Sequence, residues 1–359
     1  MLGNKTNLKN RLVASIDWIA FTSTIISSAR EMFEFLGYTE QDFQLLPKGA
    51  NGYLKVYRLN SYPISVMCEG NEGMGVHVVV AGSAIQDLML HYQASITYRT
   101  PFGDDAVSLS DLDNTIMVEF LNDVKRMGWL TRLDLAVDDF GGRFFSVEDV
   151  RGYLDRCEVV SKFRTYRDIY ESTLAQESTG HTVYLGSRQS EVMLRIYDKR
   201  LEQNQKIEKE EDKIETPWVR WELELKNERA NIAAGLLIQR KSLGEIVTEI
   251  LNNYVRIIIP DDSNRSRCSI LPLWEAFVNT VAKLKLYIDA AKKTIEQKRN
   301  WLIRSVMPTL AGVIIADGGS LDIITQHFDD AVIRMNRNMQ QLVTQKNPNW
   351  IEDYGGLLA

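Results

Sequence analysis

The sequence predicts an α+β protein with a duplicated, mostly antiparallel β-sheet, helices on one face of that sheet, and a C-terminal helical region. Three observations predict this fold. The order strand, helix, several strands, helix occurs twice along the chain. The strands alternate apolar and polar side chains, as in a sheet with one packed and one open face. From residue 272 onward the pattern is helical throughout.

The first half of the sheet is predicted at residues 1–128. It opens with an apolar strand, ASIDWIAFT, and continues with a helix, STIISSAREMFEFLGY, which has a Ser/Thr cap and apolar spacing of three and four. Short strands separated by turn residues follow: GYLKVYRL, YPISVMCEG and GVHVVVAG. A second helix is predicted at about 109–127, before Gly128.

The second half is predicted at residues 129–259, where the same order recurs. A strand, LTRLDLAVDDF, precedes a helix, SVEDVRGYLDRC, with Ser146 as its N-cap. The strands that follow are VVSKFRTYRD, HTVYLGS, SEVMLRIYD and TPWVRWELELKNE. A long helix at about 228–252 closes this half. Residues 260–271 then read as a linker to a helical appendage at 272–345.

Composition excludes several classes of protein. The 359 residues are 45% hydrophobic and 25% charged, which is ordinary for a soluble globular protein. No apolar run reaches the ~18 residues of a membrane span, and the start lacks a signal-peptide core, so we expect a cytoplasmic protein without a membrane partner. Three scattered cysteines and four unpaired histidines favour neither a disulfide framework nor a histidine-ligated metal site.

The net charge of −6 argues against a protein that coats nucleic acid nonspecifically. A DNA-binding surface would therefore have to be a local patch.

Three strands carry polar side chains at alternate positions, and these side chains should face the same way. The polar positions are Arg132, Asp134 and Asp138 in the first strand; Arg195, Tyr197 and Lys199 in the second; and Arg220, Glu222, Glu224 and Lys226 in the third. A solvated, charged sheet face accounts for any one of these strands. The three together, with the same Arg-x-acid spacing in RLD and RWE, favour a site for chemistry on phosphate.

Tyr197 is the candidate nucleophile of that site. A free tyrosine has a pKa of about 10 and attacks poorly at neutral pH, so it needs cations that favour the phenolate. Arg195, Lys199 and Arg220 are placed to supply this charge and to hold a phosphate. Asp134 and Glu222 are hard oxygen ligands suited to Mg²⁺ or Mn²⁺.

The blocks TRLDLAVDDF, YLGSRQSEVMLRIYDKRLEQ and VRWELELK, in this order, resemble the replication initiation factor family. That family comprises rolling-circle initiators of plasmids and phages and relaxases of some integrative elements. The resemblance covers about residues 13–252 and implies a sheet similar to the saddle of the TATA-binding protein. It also implies a metal-dependent DNA nickase and ligase that uses Mg²⁺ or Mn²⁺.

The resemblance further implies roles for individual residues. Tyr197 would attack a phosphodiester at a replication origin, giving a 5′-phosphotyrosyl adduct and a 3′-hydroxyl that primes synthesis. Asp134 and Glu222 would bind the metal, with Asp17, which the duplication relates to Asp134, as a third ligand. The residues expected to contact DNA are Arg132, Arg188, Lys162, Arg164 and Arg167.

Two other functions stay open at this point. A non-catalytic, sequence-specific DNA-binding protein, such as a repressor, would use the same fold without chemistry. A tyrosine recombinase is disfavoured by a strand-borne tyrosine and by the shortage of histidine. The expected partners are origin DNA, both double-stranded and single-stranded, a host helicase and a second copy of the chain. His181 begins a strand near the Tyr197 hairpin, where a structural role is expected ahead of a role as a base. Trp18 and Trp221 are expected to lie between sheet and helices.

Overall fold

A computed structural model describes residues 11–99, 109–175, 178–207, 209–284, 299, 302–335 and 337–354. Within these ranges the chain forms two compact units. One unit holds the β-sheet and the described residues up to 284, and the other holds the described residues from 299 onward. No helix in the described ranges is long and apolar enough to cross a membrane.

The first unit is built on ten antiparallel strands, five from each half of the chain. The first half supplies β1 Arg11–Ser23, β2 Phe43–Leu45, β3 Lys55–Leu59, β4 Ile64–Cys68 and β5 Val76–Ala81. The second half supplies β6 Gly128–Phe140, β8 Tyr166–Ser172, β9 Ser178–Leu185, β10 Val192–Asp198 and β11 Trp218–Lys226. Two short strands, β7 Val159–Ser161 and β12 Val255–Ile257, pair with each other in a separate ladder.

The strand order shows the duplication directly. The order across the sheet is β2-β3-β4-β5-β1-β6-β11-β10-β9-β8. In each half the first strand lies at the centre, and a four-strand meander returns its last strand to pair with the first. β1 and β6 pair antiparallel where the halves meet. The predicted duplicated antiparallel sheet, the arrangement expected of a saddle-type fold, is confirmed.

This unit has eight α-helices within the described residues. They are α1 Ala29–Leu36, α2 Gly82–Arg99, α3 Leu109–Met127, α4 Val147–Asp155, α5 Lys199–Asn204, α6 Asn227–Ile238, α7 Leu243–Tyr254 and α8 Pro272–Val281. All except α5 bury side chains in one core with the sheet, for example Phe120 of α3 against Phe21 of β1 at 5.8 Å between ring centroids. The alternation read from the sequence thus places the core correctly.

Helix boundaries differ from the predictions at two places. The single helix expected at 228–252 is two helices, α6 and α7, because Arg240 takes a left-handed conformation (φ +66°) and Ser242 starts α7 with a capping box to Glu245. The sequence SLGE carries that capping signal. Helix α2 was not among the predicted elements.

Helix α8 belongs to the first unit, although the appendage was expected to begin at 272. Trp274 and Phe277 of α8 are fully buried, with ring centroids 5.7 Å and 5.0 Å from that of Trp221 in β11. The second unit contains α9 Met307–Ala316, α10 Asp322–Ile333, α11 Arg337–Lys346 and α12 Trp350–Tyr354, after a π-helical turn at Leu302–Val306. The helix expected across 285–301 lies almost entirely outside the described residues.

Candidate active site

Antiparallel register brings the polar side chains of β6, β10 and β11 together on the open face. Tyr197 lies opposite Arg220, and Arg195 lies opposite Glu222. Across the next ladder, Arg220 lies opposite Asp138. Directly opposed residues in an antiparallel pair project to the same face. The alternating positions read along each strand therefore meet in space.

The phenol of Tyr197 is at the centre of this cluster. Its hydroxyl donates to Glu222 Oε2 at 3.1 Å and accepts from Lys199 Nζ at 3.2 Å. The guanidinium of Arg195 lies 4.5 Å from the ring centroid and also donates to both oxygens of Glu222, at 2.7 and 2.8 Å. Glu222 and Tyr197 are both buried. The tyrosine thus has a carboxylate acceptor and cations within contact distance.

Burial sets the protonation state of the phenol. It raises the pKa of Tyr197 well above the ordinary value, and the nearby charges of Arg220 and Arg195 offset only part of that rise. The phenol is therefore neutral at physiological pH. A reaction through Tyr197 requires a proton acceptor, and Glu222 is in place as one.

Lys199 reaches the phenol because the chain changes from strand to helix at Asp198. The side chain of Asp198 caps α5 by accepting from the backbone N–H of Leu201 at 3.0 Å. Lys199, the first residue of α5, folds back over the tyrosine and also pairs with Glu202. Burial lowers the pKa of Lys199, and the charge of Arg220 lowers it further.

Arg220 forms the second buried layer of the site. It donates to Asp138 through Nε and Nη2, each at 2.7 Å, and to Asp17 Oδ1 through Nη1 at 2.5 Å. Trp218 Nε1 also donates to Asp138, at 2.6 Å. Arg220 is only 7% exposed, and its guanidinium is held by two carboxylates, Asp138 of β6 and Asp17 of β1.

A bulge in β1 turns two successive residues toward the site. The β1–β6 register shifts between Ile16 and Trp18, and Asp17 has no Cα partner there. Asp17 therefore reaches Arg220, and Trp18 lies under Arg132 with the guanidinium 4.6 Å from its ring centroid. The expectation that Trp18 packs between sheet and helices is wrong, whereas Trp221 does pack there.

Gly82, the first residue of α2, packs against the bulge at Asp17 because it has no side chain. A Cβ at this position would lie 2.6 Å from Asp17 Oδ1 and 2.9 Å from the Asp17 carbonyl oxygen. Both distances are below normal contact. A side chain at Gly82 would displace Asp17 from Arg220.

A third ion-pair group lies beside the tyrosine. Arg132 donates to Asp134 at 2.8 Å through Nε and pairs with Glu224 at 2.8 Å. Lys226 pairs with Glu224 at 2.8 Å. Burial raises the pKa of Asp134 to about 7, more than the bond to Arg132 lowers it.

The three predicted metal ligands do not converge. Asp17 is bonded to Arg220, Asp134 to Arg132, and Glu222 to Arg195. Among the residues that the structure describes, no group of three or more His, Cys, Asp or Glu side chains is placed to hold a metal ion.

The predicted DNA-contacting residues divide into two groups. Arg132 and Arg188 line an open groove of about 320 Å³ on the sheet, and Arg167 lies over Tyr184 at its edge, 5.2 Å from the ring centroid. Lys162 instead contacts Asn253 and the ring of Tyr254 at the end of α7. Arg164 is exposed in the connection between β7 and β8.

His181 lies on the opposite face from Tyr197. Its ring nitrogens contact Glu148 of α4 at 3.0 Å and Asp168 of β8 at 2.8 Å. Val183, two residues further along the same strand, projects to the same face as His181 and lies in the core between sheet and helices. His181 is therefore not placed to act as a base on Tyr197.

Sequence reasoning left two residues of the groove, Tyr184 and Met193, without a role. They line the groove together with Lys226, Arg195 and Glu222. Tyr184 and Met193 occupy alternating positions on their strands and so face the site. That alternation is the signal that would have found them.

Comparisons with known proteins place this chain in the class of rolling-circle replication initiators and relaxases. The sequence model described as Replication initiation factor matches residues 128–332, which is more than half of the chain. The chain therefore belongs to the replication initiation factor family, as the sequence blocks had indicated.

Two relatives define the likeness further. A Bacillus subtilis (strain 168) protein, provisionally described as the DNA relaxase NicK, is 28% identical over 313 residues, covering 86% of this chain and 83% of that protein. The solved structure of a rolling circle replication initiator protein from Geobacillus stearothermophilus matches with a TM-score of 0.61 and 25% identity, covering 77% of this chain and 99% of that one.

Proposed function

We propose that this protein initiates rolling-circle replication by nicking and rejoining DNA at an origin through Tyr197. The observation that carries the proposal is the pair of contacts at the phenol: a carboxylate acceptor, Glu222, at 3.1 Å and an ammonium, Lys199, at 3.2 Å. A buried tyrosine with a proton acceptor and cations is equipped to attack a phosphodiester. Membership of the family supports the choice of DNA as substrate.

In the nicking step, the Tyr197 oxygen attacks the scissile phosphorus as its proton passes to Glu222. The bond between phosphorus and the 3′ oxygen breaks. The leaving oxygen takes a proton from water and becomes the 3′-hydroxyl, and the 5′ phosphate stays on the tyrosine as a diester. Arg195 and Lys199 stabilise the negative charge that develops on the phosphate and the phenol.

Rejoining runs the same step backwards. A 3′-hydroxyl attacks the phosphotyrosyl bond, and the phenol oxygen leaves. Because burial raises the pKa of Tyr197, a free phenolate would be a poor leaving group in this site. The proton held by Glu222 returns to the oxygen, and Lys199 and Arg220 stabilise the charge as the bond breaks.

A divalent ion, Mg²⁺ or Mn²⁺, is part of the proposal because the candidate ligands Asp134, Glu222 and Asp17 offer the carboxylate oxygens that such an ion prefers. Among the described residues these side chains do not form a metal site as they stand. Each is bonded to an arginine here, so the ion would compete with those guanidinium groups. When bound, it would polarise the scissile phosphate.

Origin DNA is the partner that family membership implies. A host helicase and a second copy of this chain are proposals, and the second compact unit is a candidate for recruiting either. Truncation after residue 289 would leave the sheet unit whole, because α8 stays within its core. Retention of origin-specific nicking by that truncated chain would exclude a role for the second unit in DNA specificity.

The test is a covalent-adduct assay. The purified protein is mixed with supercoiled and single-stranded DNA covering its own coding region, with Mg²⁺ or Mn²⁺, and the products are run on a denaturing gel. We expect a nucleotide remnant on Tyr197 by mass spectrometry, absent with chelator and absent in Tyr197→Phe. Tyr166→Phe is the matched control, since that tyrosine is 41% exposed and its hydroxyl contacts Asp155 of α4.

Tight, specific DNA binding by the wild type without any adduct would contradict the proposal. It would favour the second candidate, a repressor-like DNA-binding protein on the same fold.

A further inference from the structure

The groove beside Tyr197 is lined in part by residues that the nicking chemistry does not use. Two of its lining residues, Arg195 and Glu222, also touch the phenol, so the groove opens directly next to the nucleophile. Its other walls come from β6, from the end of β11 and from the hairpin between β9 and β10.

The size of the groove limits its ligand. About 320 Å³ lies at the lower end of the ~300–1,000 Å³ typical of small-molecule pockets. This space suits a single nucleotide and is too small for a stacked base pair with its backbone.

The charge of the groove suits a phosphate. Four cations line it, Arg132, Arg188, Arg195 and Lys226, against two carboxylates, Glu222 and Glu224. The lining therefore carries an excess of positive charge. Arg188 is exposed, and its backbone carbonyl accepts from Lys226 Nζ, which fixes the hairpin at the rim.

The groove also has an aromatic wall. Tyr184 lies opposite Arg195 across the β9–β10 ladder and is partly exposed, and the guanidinium of Arg167 lies 5.2 Å from its ring centroid. Met193, which is buried, supplies a polarisable floor. An aromatic ring beside cations is the combination that binds unpaired bases in single-stranded DNA.

We infer that this groove binds one unpaired nucleotide of single-stranded DNA flanking the scissile phosphate. The base stacks on Tyr184, and its phosphate is held by Arg188 and Lys226. The nucleotide positions the neighbouring phosphodiester beside Arg195 and the Tyr197 oxygen. This inference rests on the proposed function, and it makes Tyr184 and Arg188 positioning residues.

The first test measures binding without cleavage. The affinity of a fluorescent oligothymidylate of about 10 nucleotides is measured by anisotropy for Tyr197→Phe, alone and combined with Tyr184→Ala. We expect Tyr184→Ala to weaken binding roughly 5- to 150-fold, the range for loss of one stacked base. Tyr184→Phe should retain binding within about threefold, because the ring is kept. Tyr170→Ala, which removes a tyrosine that is 59% exposed on the other face, should change nothing.

The second test uses salt. Arg188→Gln, also in the Tyr197→Phe background, should lower the slope of log affinity against log salt by about 0.7, the value for one phosphate contact on a single strand. An unchanged slope, or a loss in Tyr184→Ala no larger than in Tyr170→Ala, would overturn the inference.

The two proposals fail separately. If an adduct forms on Tyr197 but the groove variants bind oligothymidylate as the controls do, the nucleotide groove is rejected and the nicking function is retained. Weaker binding by the groove variants without any adduct on Tyr197 would support the nucleotide groove and reject the nicking function.

Discussion

Arg220 offers the sharpest test of how the site is held together. Its side chain is 9% exposed and bonds Asp138, which is 5% exposed, through two nitrogens. Arg220→Met removes the cation and leaves Asp138 buried, with the indole N–H of Trp218 as its one remaining donor among the described residues. Breaking a buried ion pair in this way costs about 3–5 kcal/mol, because one charge stays desolvated without its partner.

The assay is equilibrium unfolding in guanidinium chloride, with Arg30→Met as the matched control. Arg30 also pairs with a carboxylate, Glu34, but the two side chains are 77% and 62% exposed. That substitution should change the free energy of unfolding by less than about 0.5 kcal/mol. The double variant Asp138→Leu/Arg220→Met should recover more than half of the loss, since it removes the stranded charge.

Two results would refute this reasoning. One is a loss below about 1 kcal/mol in Arg220→Met, matching Arg30→Met. The other is a double variant no more stable than Arg220→Met, which would show that the loss came from packing rather than from the unpaired carboxylate.

The remaining predictions concern the tyrosine and its carboxylates. Tyr197→Phe should abolish the adduct yet change the free energy of unfolding by no more than about 1–2 kcal/mol, because Glu222 keeps its bonds to Arg195; a larger loss in denaturant would contradict this. Glu222→Gln should slow single-turnover adduct formation by about 10²–10⁴-fold, as expected for loss of a proton acceptor, whereas Glu224→Gln, which does not touch the phenol, should slow it far less. Equal effects of the two would remove Glu222 from that role. Since burial raises the pKa of Asp134 to about 7, the folded state binds a proton there more tightly than the unfolded state does. In metal-free buffer the stability that this proton contributes is therefore present at low pH and is lost as pH rises from about 4 to 7, by up to ~1.4 kcal/mol per pH unit. Asp134→Asn should remove that dependence, and an identical pH profile in the variant would contradict it.

The break between α6 and α7, at Arg240 and the capping box of Ser242, had a local signal in the sequence. The capping signal SLGE is present in the sequence, and the structure starts α7 there. The prediction of one long helix failed because apolar periodicity continues across the break, and periodicity alone does not show that the chain turns.

The position of α8 had no local signal. Its amphipathic pattern fits either an appendage or a helix that covers the sheet. Only packing decided between them, since Trp274 and Phe277 pack against Trp221 in the core of the sheet unit.

The sequence by itself determined the duplicated order of strands and helices, and it determined that Tyr197, Arg195 and Glu222 share one sheet face. Side chains alternate along any strand, so which residues share a face is a local property of the chain. What only the tertiary structure decided is which of those polar groups touch. The bulge that presents Asp17 and its bond to Arg220 across 203 residues depend on strand register and burial. Those are set by contacts between residues far apart in the chain, because a shift of one residue in a ladder moves every side chain to the other face.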